Sequence, residues 1–156
     1  MKKYLVILLT VLAIVTLAGC SSSTPEADSS SKETSPEAEV AQVVEEFIQV
    51  RHNYQYETYT GAEGFAEYLE ESLGSSLAAS AEVFANNSKE FKASKKVIEV
   101  GEVEVTMIDE NKASASTNFS VEWTRDGVTE TVNHNLSVTL EKVEDKWLIS
   151  LLNGNI

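Results

Sequence analysis

The sequence predicts an α+β domain in which N-terminal helices pack on a curved, four-stranded antiparallel sheet. In the first half of the domain, apolar residues recur at helical spacing. In the second half they alternate with polar residues, and short turns separate the alternating segments. Because each strand then has one apolar face, one side of the sheet needs a cover, which the helices can supply.

Three helices are predicted. The first starts at Ser35 and Pro36, which suit the N-cap and first-turn positions, and its apolar residues are Val40, Val43, Val44, Phe47, Val50 or Arg51, and Tyr54. The second follows Gly61 and ends at Gly74, with an apolar stripe of Phe65, Tyr68, Leu69 and Leu73. A short third helix over 76–86 turns three residues inward: Leu77, Ala81 and Phe84.

Four strands follow. In the first, the alternation changes phase at Gly101, which predicts a β-bulge there and an inward row of Ile98, Val100, Val103, Val105 and Met107. Turns at 109–112, 125–127 and 144–146 separate the next three strands. Their inward rows are Ala113, Ala115, Thr117, Phe119, Val121 and Trp123; Val128, Val132, Leu136, Val138 and Leu140; and Trp147, Ile149 and Leu151.

Residues 1–19 are predicted to be a removable signal peptide. Lys2 and Lys3 precede an apolar run from Tyr4 to Leu17, which is shorter than the roughly 20 residues of a membrane-spanning helix. Residues 17–20, Leu-Ala-Gly-Cys, resemble the lipobox of bacterial lipoproteins and contain Cys20, the only cysteine. The resemblance implies that Cys20 is diacylated and anchors the chain on the extracytoplasmic face of a membrane. An ordinary signal peptide with an incidental cysteine is the alternative.

The rest of the chain divides into two parts. Residues 20–36 are rich in serine and lack large apolar side chains, so they are predicted to be a flexible tether behind the lipidated Cys20. Residues 37–156 are predicted to form one α+β domain. The richness in Lys, Glu and Ser favours the surface of a Gram-positive cell.

The formal net charge is -13. Nucleic acids and anionic lipid headgroups are bound through clustered Lys and Arg, so neither is expected to be a direct partner. The two histidines, His52 and His134, are far apart in sequence and predict no metal site, and no motif predicts a cofactor.

The order of elements resembles the nuclear-transport-factor-2-like superfamily, in which helices pack into a strongly curved sheet. The resemblance rests on the helix from Glu37, the bent strand about Gly101, the two hairpins and the closing Asp-Lys-Trp-Leu-Ile at 145–149. A cystatin-like arrangement is the nearest alternative. Members of this superfamily are isomerases and dehydratases, binders of small ligands, or scaffolds of secretion and conjugation machines. The resemblance therefore implies one of these functions for the chain, and fold alone does not choose among them.

A candidate pocket consists of His134, Trp123, Tyr54 and Tyr59. His134 lies on the inward row of its strand, where it would bind a ligand or exchange a proton, or would simply be a core histidine. The tyrosines would stack on a ligand or dock a partner; alternatively, Tyr54 belongs to the core and Tyr59 shields the mouth of the pocket. No catalytic residue is assigned, because the inward row of the first strand lacks the carboxylate base that isomerases of this superfamily need.

The leading functional hypothesis is a membrane-anchored protein-binding or scaffold module of a surface secretion or conjugation assembly. The alternatives are a lipoprotein that binds a small apolar ligand in its concave pocket, and an isomerase or hydrolase that uses His134. Formation of a homodimer through the outer face of the sheet remains open.

Overall fold

The computed structural model describes residues 34–154. The predicted signal peptide, Cys20 and nearly all of the predicted tether lie outside this range. Within 34–154, no helix is both long enough and apolar enough to cross a membrane.

The described chain forms two α-helices followed by five antiparallel strands. Helix α1 (Pro36–His52) and helix α2 (Glu71–Glu90) are separated by two short 3-10 turns. The strands are β1 (Ser94–Val100), β2 (Glu104–Asp109), β3 (Lys112–Arg125), β4 (Val128–Val143) and β5 (Lys146–Gly154). The strand order is β1-β3-β4-β5, and β2 also pairs with β3, so that β1 and β2 follow one another along the same edge of β3.

Helix α1 begins where the sequence predicts. The Ala38 N–H donates to Ser35 Oγ at 3.3 Å, Pro36 occupies the first turn, and two glutamates lie near the positive end of the helix dipole. Its buried face is Val40, Val44, Phe47, Ile48 and His52. This face contacts β1, β2, β3 and β5, so α1 is the main cover of the sheet.

The prediction of three helices is wrong. The second predicted helix is instead the two 3-10 turns, Ala62–Gly64 and Ala66–Tyr68, and the third belongs to a single helix that runs through Gly74. The backbone is extended at Leu69 and Glu70, because the Glu70 N–H donates to Ile149 O at 2.9 Å and ties this segment to β5. Helix α2 therefore starts only at Glu71, where the Glu70 carboxylate accepts from the Ser72 N–H.

The prediction of four strands is also wrong, because the first predicted strand is interrupted at 101–103 and forms both β1 and β2. The bulge lies at Ile98 rather than at Gly101. Ile98 is therefore 50% exposed, and Val97 packs against the core in its place. Gly101 still approaches β3 closely: its N–H donates to Asn118 O at 2.8 Å, and an added Cβ would lie 3.0 Å from that oxygen.

The inward row predicted for β3 is buried from Ala113 to Val121. Two other predictions are wrong. Val128, at the hairpin between β3 and β4, is 70% exposed. Leu151 is 51% exposed because the register between β4 and β5 shifts beside Ser150, which turns Leu152 rather than Leu151 toward the core.

Ile149 is central to this core. It is fully buried, and its carbonyl also holds the segment before α2. We expect Ile149→Ala to lower the free energy of unfolding by about 2–5 kcal/mol, since it removes buried methylenes and leaves a cavity. Ile108→Ala is the matched control, because Ile108 is 57% exposed, and it should change stability by less than about 0.5 kcal/mol. Urea denaturation measures both, and equal losses would contradict the packing described.

Candidate functional site

A cavity of about 180 Å³ opens between the C-terminal end of α1, the middle of α2 and the start of β1. We call it the α1–α2 cavity. Its lining residues are Arg51, His52, Tyr54, Tyr59, Phe65, Leu77, Ser80, Ala81, Phe84 and Lys95. The segment after α1 supplies the tyrosines, and it is held to the sheet because Tyr54 and Lys95 exchange two backbone hydrogen bonds of 3.0 Å.

Aromatic rings form one wall of this cavity. Tyr54 and Tyr59 are stacked with ring centroids 4.3 Å apart, and Phe84 meets both rings edge-on at 5.9 and 6.0 Å. Burial raises the pKa of Tyr54 to about 12, so its phenol is neutral at physiological pH. The structure thus brings the two predicted tyrosines together, and their role in binding stays a prediction.

Two cations lie on the same cavity. The Arg51 guanidinium lies 5.0 Å from the centre of the Phe65 ring, and Lys95 Nζ lies 5.8 Å from the ring centres of both Phe84 and Trp123. Among the described residues neither cation forms an ion pair, and the cavity lining contains no carboxylate. Burial lowers the pKa of both groups, and the positive charge of Arg51 lowers that of Lys95 further.

His52 closes the inner end of the cavity. It is 3% exposed, and its Nδ1 has no hydrogen-bond partner among the described residues. Burial first, and then the charges of Lys95 and Arg51, lower its pKa to about 2, so the ring is neutral at physiological pH. Sequence reasoning did not single out this residue; its place in the buried stripe of α1 was the available signal.

The other two candidates, His134 and Trp123, do not line the α1–α2 cavity but lie beside it. His134 pairs with Phe119 across β3 and β4, stacks on its ring at 5.0 Å, and lies 5.7 Å from the His52 ring. Trp123 pairs with Lys95 across β1 and β3. Of the four predicted residues, Tyr54 and Tyr59 therefore line the cavity. His134 and Trp123 lie next to two lining residues, His52 and Lys95.

The outer face of the sheet carries a second feature, which we call the polar strip. It consists of alternate residues of β3 and β4 that point away from the core: Ser114, Ser116, Asn118, Ser120, Asn133, Asn135, Ser137 and Thr139. These residues form four register pairs without a charged side chain, and the Ser120 hydroxyl donates to Asn133 Oδ1 at 2.8 Å. The ion pair of Lys112 and Glu141, with a separation of 2.9 Å, bounds one end.

Neither feature brings together a metal site. Within residues 34–154, no group of three or more His, Cys, Asp or Glu side chains is placed to hold a metal ion. His52 and His134 do come close together, with ring centres 5.7 Å apart, but they belong to no such group.

Comparisons with known proteins give the fold. No protein-family model and no curated protein matches the sequence. Among solved structures, an NTF2-like protein with a cystatin-like fold from Novosphingobium aromaticivorans is similar with a TM-score of 0.53 and 12% identity, over 74% of this chain and 78% of that one. The domain has the nuclear-transport-factor-2-like fold.

Two further structures with a similar fold are those of a secretion system protein and of a plasmid transfer protein. An IcmL-like type IV secretion system protein from Legionella pneumophila gives a TM-score of 0.60 at 12% identity, over 76% of this chain and 91% of that one. TraH, a transfer protein of the Gram-positive conjugative plasmid pIP501, gives 0.56 at 13% identity, over 78% and 95%. Identities this low show a shared nuclear-transport-factor-2-like fold alone.

The lowered pKa of His52 predicts how stability depends on pH. His52 binds a proton near pH 6.5 in the unfolded chain but only near pH 2 in the folded chain. The stability that the neutral His52 ring contributes is therefore complete above about pH 6.5 and is lost as the pH falls toward 2. Between about pH 8 and pH 5, His52 should account for a loss of about 2 kcal/mol.

Urea denaturation of the wild type and of His52→Phe at several pH values measures this loss. The variant should have a flatter profile over that range, where most carboxylates remain ionised. Identical slopes for the two proteins would show that His52 is not buried as a neutral ring.

Proposed function

We propose that this chain is a lipid-anchored, extracytoplasmic scaffold subunit of a secretion or conjugation assembly, and that it binds protein partners through the polar strip. The observation that carries the proposal is the fold shared with a type IV secretion protein and a conjugative transfer protein. The secretion and conjugation roles in their names indicate the class of assembly and leave the individual partner unspecified.

The polar strip shares one property with the centre of protein-binding surfaces, the lack of charged side chains. Charged residues are depleted in the centre of protein interfaces, since burying an unpaired charge costs more than burying a hydrogen-bonding neutral group. A chain with 25 acidic residues nevertheless leaves these eight positions uncharged. Four of them, at Asn118, Asn133, Asn135 and Ser137, are exposed.

We propose further that the domain works without catalysis. The described residues of the α1–α2 cavity supply cations and a neutral histidine but no carboxylate that would act as a general base. A purely apolar ligand also fits this cavity poorly, because two half-buried cations would remain without a counterion among the described residues.

The anchor is tested by Cys20→Ser. In cells given an alkyne-tagged fatty acid, the wild type should become labelled and sediment with the membrane, because two acyl chains give stable anchoring. The Cys20→Ser variant should not be labelled by the fatty acid, and the membrane fraction should contain no lipidated form of it. Ser21→Ala is the matched control and should behave as the wild type; an unlabelled wild type would refute lipidation.

The strip is tested by genetic complementation in the natural host. Deletion of the gene should lower DNA transfer or protein secretion by at least an order of magnitude, and the wild-type gene should restore it. The double variant Asn118→Arg and Asn133→Arg should not, since it places charge in the strip.

Glu45→Arg is the matched control, because Glu45 is exposed on α1 and lies outside the strip. It should restore transfer fully, and circular dichroism should show that both variants fold. Normal transfer in the deletion strain, or full complementation by the double variant, would contradict the proposal.

A further inference from the structure

We propose that the α1–α2 cavity binds a small carboxylate that carries an aromatic or compact apolar group. This goes beyond the scaffold role and does not depend on it, because the polar strip lies on the outer face of the sheet and the cavity on the inner side. Three observations within residues 34–154 carry the proposal: cations without counterions, a buried nitrogen without a partner, and an aromatic wall.

The charges indicate an anion. The chain has 12 basic and 25 acidic residues, yet Arg51 and Lys95 lie together on a cavity whose described lining residues include no acid. Each cation lies near aromatic rings and forms no ion pair with another described residue, and Arg51 electrostatically disfavours the charged form of Lys95. A carboxylate in the cavity would relieve this repulsion and replace the lost hydration of both groups.

The buried nitrogen indicates a hydrogen-bond acceptor. His52 Nδ1 is buried without a partner among the described residues, although buried polar atoms are nearly always hydrogen-bonded. A neutral imidazole carries its proton on either nitrogen, and the tautomer protonated at Nδ1 would donate to a carboxylate oxygen. The donors from α1 and β1 would then meet on one anionic group.

The aromatic wall indicates the rest of the ligand. Tyr54, Tyr59 and Phe84 present ring faces and edges, and Leu77 and Ala81 of α2 complete an apolar surface. A cavity of roughly 150 Å³ is known to hold benzene. The cavity of about 180 Å³ therefore has room for a single ring and a carboxylate, but not for a large lipid.

Phenylacetate and phenylacetamide are the probes, since they have nearly the same shape and differ in charge. Each is titrated calorimetrically into the full-length chain in nonionic detergent. Phenylacetate should bind at least about tenfold more tightly than phenylacetamide, because only the carboxylate forms charge-assisted hydrogen bonds. Acetate should also bind more weakly than phenylacetate, because it leaves the aromatic wall unused.

Arg51→Gln and Lys95→Met should each weaken phenylacetate binding by about tenfold. Arg125→Gln and Lys96→Met are the matched controls and should leave it unchanged, because Arg125 stacks on Phe91 at 4.0 Å and neither residue lines the cavity. Circular dichroism and Tm establish that each variant folds. If Arg51→Gln does not fold, Lys95→Met alone decides the matter.

Three results would overturn the proposal. The first is equal binding of phenylacetate and phenylacetamide, and the second is that neither binds with a Kd of about 1 mM or tighter. The third is that the control variants weaken the binding of phenylacetate as much as the cavity variants do. None of these results bears on the polar strip, so the scaffold role would stand or fall separately.

Discussion

The pairing of β3 with β4 is the constraint on which the rest of this domain depends. The two strands match without a shift from Lys112 opposite Glu141 to Arg125 opposite Val128. Since side chains alternate along a strand, this one register buries the apolar row on α1 and at the same time exposes the polar strip. It also places His134 against Phe119, next to the closed end of the cavity. A slip by one residue would invert both faces together.

Local alternation and capping were readable from the sequence. Ser35 and Pro36 marked the start of α1, and the row from Ala113 to Val121 is buried as its period of two indicates. The fold class followed from these patterns. The same alternation also contains the polar strip, because its members are the residues that lie between the buried apolar residues of β3 and β4.

What the sequence did not reveal depends on contacts between distant segments. The hydrogen bond from Glu70 to Ile149 sets where α2 begins, so Gly74 lies inside the helix although glycine usually marks a helix end. The bulges at Ile98 and Ser150 are shifts of register against the partner strand, and each reverses the faces that simple alternation assigns to the residues beyond it. The cavity is of the same kind: Arg51 and Lys95 are separated by the whole of α2, and contacts between the end of α1 and β1, among them the bridge between Tyr54 and Lys95, bring them together.

The claim that the polar strip is the partner-binding face is tested most directly by photocrosslinking in the natural host. A photoreactive amino acid is placed at Asn118, at Asn133, or at Glu45 on α1 as the reference position. The account predicts that both strip positions crosslink to a subunit of the secretion or conjugation machinery and that Glu45 does not. Equal crosslinking from Glu45, or none from the strip while the complementing protein is active, would contradict it.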